Sequence, residues 1–192
     1  ELMNHVLFVG RFDHIKGGDL VVEAFALIAA AHPTAQFTFV GPDVGLPRAE
    51  GGMDMLSDRL ARLPKPIRSR IRAVGKQSRD EVAALRAQHG VTLVASRYEN
   101  FGGTLIEAMA AGSAVVCTRV GGLQEIATDE ETALLVPPED PRAMAEACLR
   151  LMGDHNLARR LGKAARRHVA DCYAPEAIAR RMADFLTLVL RA

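Results

Sequence analysis

Cysteine is scarce in this 192-residue chain: Cys117, Cys148 and Cys172 are all there is. They lie far apart, without metal-ligand spacing and without the even count of a disulfide framework, which fits reducing, cytoplasmic surroundings. No apolar run approaches the roughly 20 residues that cross a bilayer, and no basic-then-apolar leader precedes the first strand-like run, so a soluble protein is expected. An excess of charge of either sign is also missing. A net charge of +1 argues against a protein that works by coating nucleic acid. Several chemical signatures are absent as well. Without Asp-x-Asp, H-E-x-x-H, G-x-S-x-G or a cysteine pair, neither a metal site nor a hydrolase triad is expected, and no cofactor is implied. Without G-x-G-x-x-G or G-x-x-x-x-G-K-[ST] there is no dinucleotide fingerprint and no P-loop, which disfavours a dinucleotide-dependent oxidoreductase.

What is present is a rhythm. Apolar runs at 5–9, 36–40, 71–74, 91–95 and 114–118 alternate with helical stripes at 20–31, 80–88 and 104–111, and 133–136 offers a sixth strand. Strands without inside/outside alternation, separated by helices, predict an α/β fold: a doubly wound parallel sheet of about six strands, with ligands beyond the strands' carboxyl ends. The Gly- and Pro-rich stretch 41–66 predicts a loop with one short helix. After Pro137-Pro138 the pattern is helical, near 141–152, 156–169 and 175–190. The last of these carries Ile178, Met182, Phe185, Leu186 and Val189 at helical spacing, so it should press one apolar face on this domain or on another. From Arg59 to Arg79 there are eight basic residues and no acidic one. That stretch reads as a solvated face, with a partner surface or an anionic membrane or ligand as alternatives.

Two turns carry candidate chemistry. The first strand runs into Gly10-Arg11-Phe-Asp-His-Ile-Lys16-Gly17. Arg offers a planar fork of donors and Lys a mobile charge, a pair able to stabilise a departing diphosphate without a metal ion; two solvated cations are the alternative. The second turn, Ser96-Arg97-Tyr98-Glu99-Asn100-Phe101-Gly102-Gly103, leads into a helix at about Thr104. The amides of Gly102, Gly103 and Thr104 can face an anion on the helix axis. Glu99 can accept hydrogen bonds from sugar hydroxyls, and Glu107 two from a ribose diol. Against this, Thr104-x-x-Glu107 has capping-box spacing, as do Ser78-x-x-Glu81 and Thr128-x-x-Glu131. Arg119-Val-Gly121-Gly122-Leu-Gln-Glu125 either lines the same cleft or makes a tight connection.

Taken together, G-R-F-D-H-I-K-G, F-V-G-P, S-R-Y-E-N-F-G-G-T-L-I-E-A-M-A-A-G and V-G-G-L-Q-E-I resemble the donor-binding, C-terminal half of the GT-B-fold retaining glycosyltransferases, over nearly the whole chain. The resemblance implies that residues 1–192 form one Rossmann-like domain for a nucleoside-diphosphate sugar. It implies roles for Gly10, Arg11 and Lys16 at the diphosphate, Phe101, Gly102, Gly103 and Thr104 at phosphate and sugar, Glu107 at the ribose and Glu99 at the donor sugar. The backbone of Val74, Gly75 and Lys76 would lie beside the base. Transfer would proceed with retention, the leaving diphosphate helping to deprotonate the acceptor. The acceptor, a glycan, lipid or small molecule, would sit on an amino-terminal domain with no counterpart in these residues. Ala95 departs from the proline common in the family. A catalytically silent nucleotide-sugar module is the alternative function.

Overall fold

All five residues of Ala114–Thr118 are buried, as a strand covered on both faces requires. The computed structural model describes residues 2–190. Its strands are β1 (His5–Val9), β2 (Gln36–Val40), β3 (Leu46–Pro47), β4 (Met53–Asp54), β5 (Ile71–Ala73), β6 (Val91–Val94), β7 (Ala114–Thr118) and β8 (Leu134–Val136). Its helices are α1 (Gly18–Ala31), α2 (Leu56–Ala61), α3 (Lys65–Arg68), α4 (Arg79–Gln88), α5 (Gly103–Ala110), α6 (Gly121–Ile126), α7 (Pro141–Gly153), α8 (His155–Cys172) and α9 (Pro175–Leu190). Six strands form one sheet in the order β5-β2-β1-β6-β7-β8, every pair parallel. The chain builds outward from β1 through β2 to β5, then returns to the other side of β1 with β6. That reversal makes the β1/β6 boundary the topological switch point, the usual ligand crevice of an open α/β sheet.

Side chains alternate between two cores. On β7, Ala114 and Val116 join the cluster built around α1 and α7, while Val115 and Cys117 join the one built around α5 and α8. The first core is aromatic: Phe25 stacks on Phe37 at 4.9 Å, and Phe8 meets Phe39 at 4.7 Å. Each such buried ring contributes on the order of 2–3 kcal/mol. The cysteines are free.

Three expectations need correction. The stretch 41–66 holds a small antiparallel hairpin, β3 with β4, as well as α2 and the start of α3; the left-handed Gly51 and Gly52 make its turn. The basic stretch is not simply a solvated face. Arg59 and Arg62 both bind the buried Asp54, and Arg70 donates to the carbonyls of Ala29, His32 and Pro33, capping the end of α1. Of the capping boxes, Ser78–Glu81 forms, whereas the Thr128 amide donates to the Thr132 hydroxyl rather than to Glu131. Helix α9 buries only Ala177, leaving Met182, Phe185, Leu186 and Val189 more than half exposed, so of the two surfaces expected for its apolar face this domain is not the one it covers. No helix among the described residues is long and apolar enough to cross a membrane.

Candidate functional site

Two loops meet at the switch point. After β1, the Asp13 carboxylate organises its own loop: it accepts from Arg11 Nε at 2.6 Å through one oxygen and from the Lys16 amide at 2.7 Å through the other. Lys16 then reaches across to the loop after β6, where Nζ donates to Glu99 Oε2 at 2.5 Å. Arg97 fastens the two loops. Its guanidinium donates to both oxygens of Asp19, each at 2.8 Å, to the His14 carbonyl and to Glu139, while its amide donates to Ile15. Both side chains of the Arg97–Asp19 pair are nearly buried. Burial alone would raise the Asp19 pKa; the hydrogen bonds and charge of Arg97, with two amides, carry it below the ordinary value. The same hydrogen bonds hold Arg97 above its usual range.

The close fit of these loops depends on glycine. At Gly17, left-handed at φ +66°, a Cβ would stand 2.1 Å from the Ala95 carbonyl oxygen. Beneath the Glu99 loop, Cβ atoms on Gly121 and Gly122 would fall 2.2 and 2.4 Å from the carbonyl oxygens of Glu99 and Asn100. The Gly122 amide donates to the Glu99 carbonyl at 2.9 Å. Gly121-Gly122 is therefore a platform supporting the loop.

Helix α5 begins after left-handed Gly102, and no side chain caps it. Its first amides are free of intrahelical partners, an arrangement able to bind an anion. The Thr104–Glu107 capping box does not form, because Thr104 lies inside the helix rather than at its cap. Glu107 instead accepts from Arg86 Nη2 at 3.2 Å. Both line a cavity of about 660 Å³ between α4 and α5, together with Val9, Gln77 and Val82. Arg86 is almost fully buried; burial lowers its pKa, opposed by Glu107.

A family model for glycosyl transferases group 1 matches residues 3–168. The chain belongs to that family. A D-inositol 3-phosphate glycosyltransferase from Streptomyces avermitilis is 32% identical over 191 residues, 97% of this chain and 40% of the relative. A glycogen synthase from Mycobacterium tuberculosis is 30% identical over 175 residues, 91% of this chain and 40% of that one. The chain thus spans about two fifths of the length of these curated relatives. Sucrose-phosphate synthase from Thermosynechococcus elongatus superposes with a TM-score of 0.76 at 36% identity, covering 97% of this chain and 45% of that one. Anabaena HepE, solved in complex with UDP, shares the fold with a TM-score of 0.80 at 20% identity, covering 95% of this chain and 48% of that one. The six-stranded sheet and its helices are the Rossmann-like half of a GT-B fold.

In this glycosyltransferase domain, Gly10, Arg11 and Lys16 share one loop, and Lys16 touches Glu99 directly. The turns after β1, β2 and β5 lie side by side: the Gly10 amide donates to Val40, and the Gly41 amide to Gly75. Val74, Gly75 and Lys76 do not line the cavity between α4 and α5; Gln77, next in the chain, does. Phe101 stays exposed, its ring 6.3 Å from that of Tyr173. Four organising residues receive no role from the motifs: Asp13 and Arg97, which stand inside them, and Asp19 and Arg86, which lie outside. Arg86 leaves a trace of another kind, as a charge one turn beyond Val82 on α4.

Proposed function

We propose that this domain binds a nucleoside-diphosphate sugar across the β1/β6 switch point and stabilises the diphosphate as it leaves, in transfer with retention to an acceptor held by a further, amino-terminal domain. The observation that carries the reading is the Lys16–Glu99 ion pair bridging the two loops. A diphosphate entering between them competes for Lys16 and releases Glu99 to accept from sugar hydroxyls. Arg11, half exposed beside Asp13, supplies the second cation. The free amides at the start of α5 receive a phosphate oxygen, Glu107 accepts from the ribose, and the backbone from Val74 to Lys76 lies beside the base. Charge stabilisation by Arg, Lys and helix amides is strongest where charge accumulates in the transition state, here on the leaving group, so no metal ion is required. The UDP complex of HepE makes a uridine nucleotide a natural first donor to test.

Arg11→Ala and Lys16→Ala should each weaken binding of a nucleoside diphosphate by about 1.5 kcal/mol or more, the scale of a charge-assisted contact. Isothermal calorimetry with UDP, GDP and ADP measures this, and unchanged affinity in both variants rules out the diphosphate site.

A further inference from the structure

The cavity between α4 and α5 contains a charged group that the proposed chemistry leaves without a role. Arg86 is 5% exposed, on a wall that the same helix completes with Arg79 at its first turn and with Val82, Ala83 and Ala87. Its Nη2 donates to Glu107 Oε2 at 3.2 Å and more weakly to the Thr104 carbonyl at 3.4 Å. Its Nη1 is buried with no hydrogen-bond partner among the described residues. A buried guanidinium satisfied on one side only is a poor contributor to stability, and an apolar side chain of similar length commonly does as well or better. Packing alone does not account for it.

Glu107 supplies the other half of the argument. Its side chain is 62% exposed, free to sample several rotamers unless something immobile holds it. Arg86 is such a partner. It takes one carboxylate oxygen, while no hydrogen bond engages Oε1 among the described residues. We infer that Arg86 is a positioning residue for nucleoside recognition: it fixes the Glu107 carboxylate on the cavity wall with one oxygen free for a ribose diol. It also offsets a negative charge that would otherwise stand in a pocket receiving an anionic ligand. The inference rests on Glu107 being the ribose acceptor.

The test compares the 192-residue chain with its Arg86→Met variant, by calorimetry. The probes are whichever of UDP, GDP or ADP binds tightest and the 2′,3′-dideoxy form of the same nucleotide. The wild type should prefer the ribonucleotide about tenfold, as expected for a lost hydrogen bond to a charged group. Arg86→Met should lose that preference through weaker ribonucleotide binding alone, with an unchanged or higher melting temperature. A structural role predicts instead that both nucleotides weaken together and that the melting temperature falls. Discrimination surviving in Arg86→Met, or equal loss for both probes, overturns the inference alone. A wild type that binds both forms equally overturns the ribose reading of Glu107 and the inference with it. Should Arg86→Met fail to fold, Arg86→Lys keeps the charge and makes the same comparison: a selective loss of several-fold for the ribonucleotide supports the inference, and an unchanged ratio overturns it.

Discussion

Arg97 ties the loop after β6 to the first turn of α1, 78 positions away at Asp19, and to the loop before it at His14 and Ile15, and the geometry of Lys16 and Glu99 depends on that union. Removing one partner of a largely buried pair leaves the other charge uncompensated, so Arg97→Ala should lower stability by about 3 kcal/mol in urea titration. Arg97→Lys should recover only part of it, since an ammonium cannot form the fork to both Asp19 oxygens. The pH dependence has a definite sign. The folded Asp19 pKa is depressed, so its stabilisation is complete above the unfolded carboxylate value of about 3.9 and is lost as pH falls through the folded value. The stability gap between wild type and Arg97→Ala should therefore be constant near neutrality and shrink below about pH 4. A gap that persists undiminished at pH 2 contradicts this account. That Arg11 and Lys16 share one loop was legible because a strand-to-helix turn carrying two cations is a local pattern. Asp19 and Arg97 were not, because their partnership exists only once β1 and β6 lie side by side.

Helix α5 and the turn of α6 illustrate what a glycine does in each setting. At Gly103 a Cβ would meet nothing within 4 Å, and φ is not positive, so Gly103→Ala should fold with an unchanged melting temperature. It should nonetheless bind nucleoside diphosphate more weakly, by about 1 kcal/mol or more, if a phosphate approaches the α5 amides. Gly121→Ala is the contrast: its Cβ collides with the Glu99 carbonyl at left-handed φ +38°, so both stability and binding should fall. Thermal melts and titrations on the two variants separate ligand approach from loop support. Gly103→Ala binding as tightly as wild type removes the helix amides from the site. The long elements were readable from period alone, since continuous apolar strands and helical stripes encode a parallel sheet. The β3–β4 hairpin was not, because two-residue strands carry no period. Nor was the failure of the Thr104–Glu107 box, which follows from Gly102 starting the helix two residues earlier than a threonine cap requires.

On the scale of the whole domain, the two cores close on both faces of the sheet, and α9 stands apart from them. It touches the body through Ala177 and through Arg181, which donates to the Cys172 carbonyl at 3.1 Å. The apolar stripe seen in its sequence is real, but it faces away from this domain. Burying one alanine and one exposed hydrogen bond contributes on the order of 1 kcal/mol. A domain of this size loses roughly 2–4 °C of melting temperature for each such increment. Deleting residues 175–192 should thus shift the melting temperature by no more than about 4 °C and leave nucleoside-diphosphate affinity unchanged. The exposed stripe of Met182, Phe185, Leu186 and Val189 is also an association-prone surface. The shortened chain should therefore show less concentration-dependent self-association in sedimentation velocity than the full 192 residues. A fall of 10 °C or more on deletion would mean that α9 packs against this sheet in solution, and that its stripe serves the core of this domain rather than another surface.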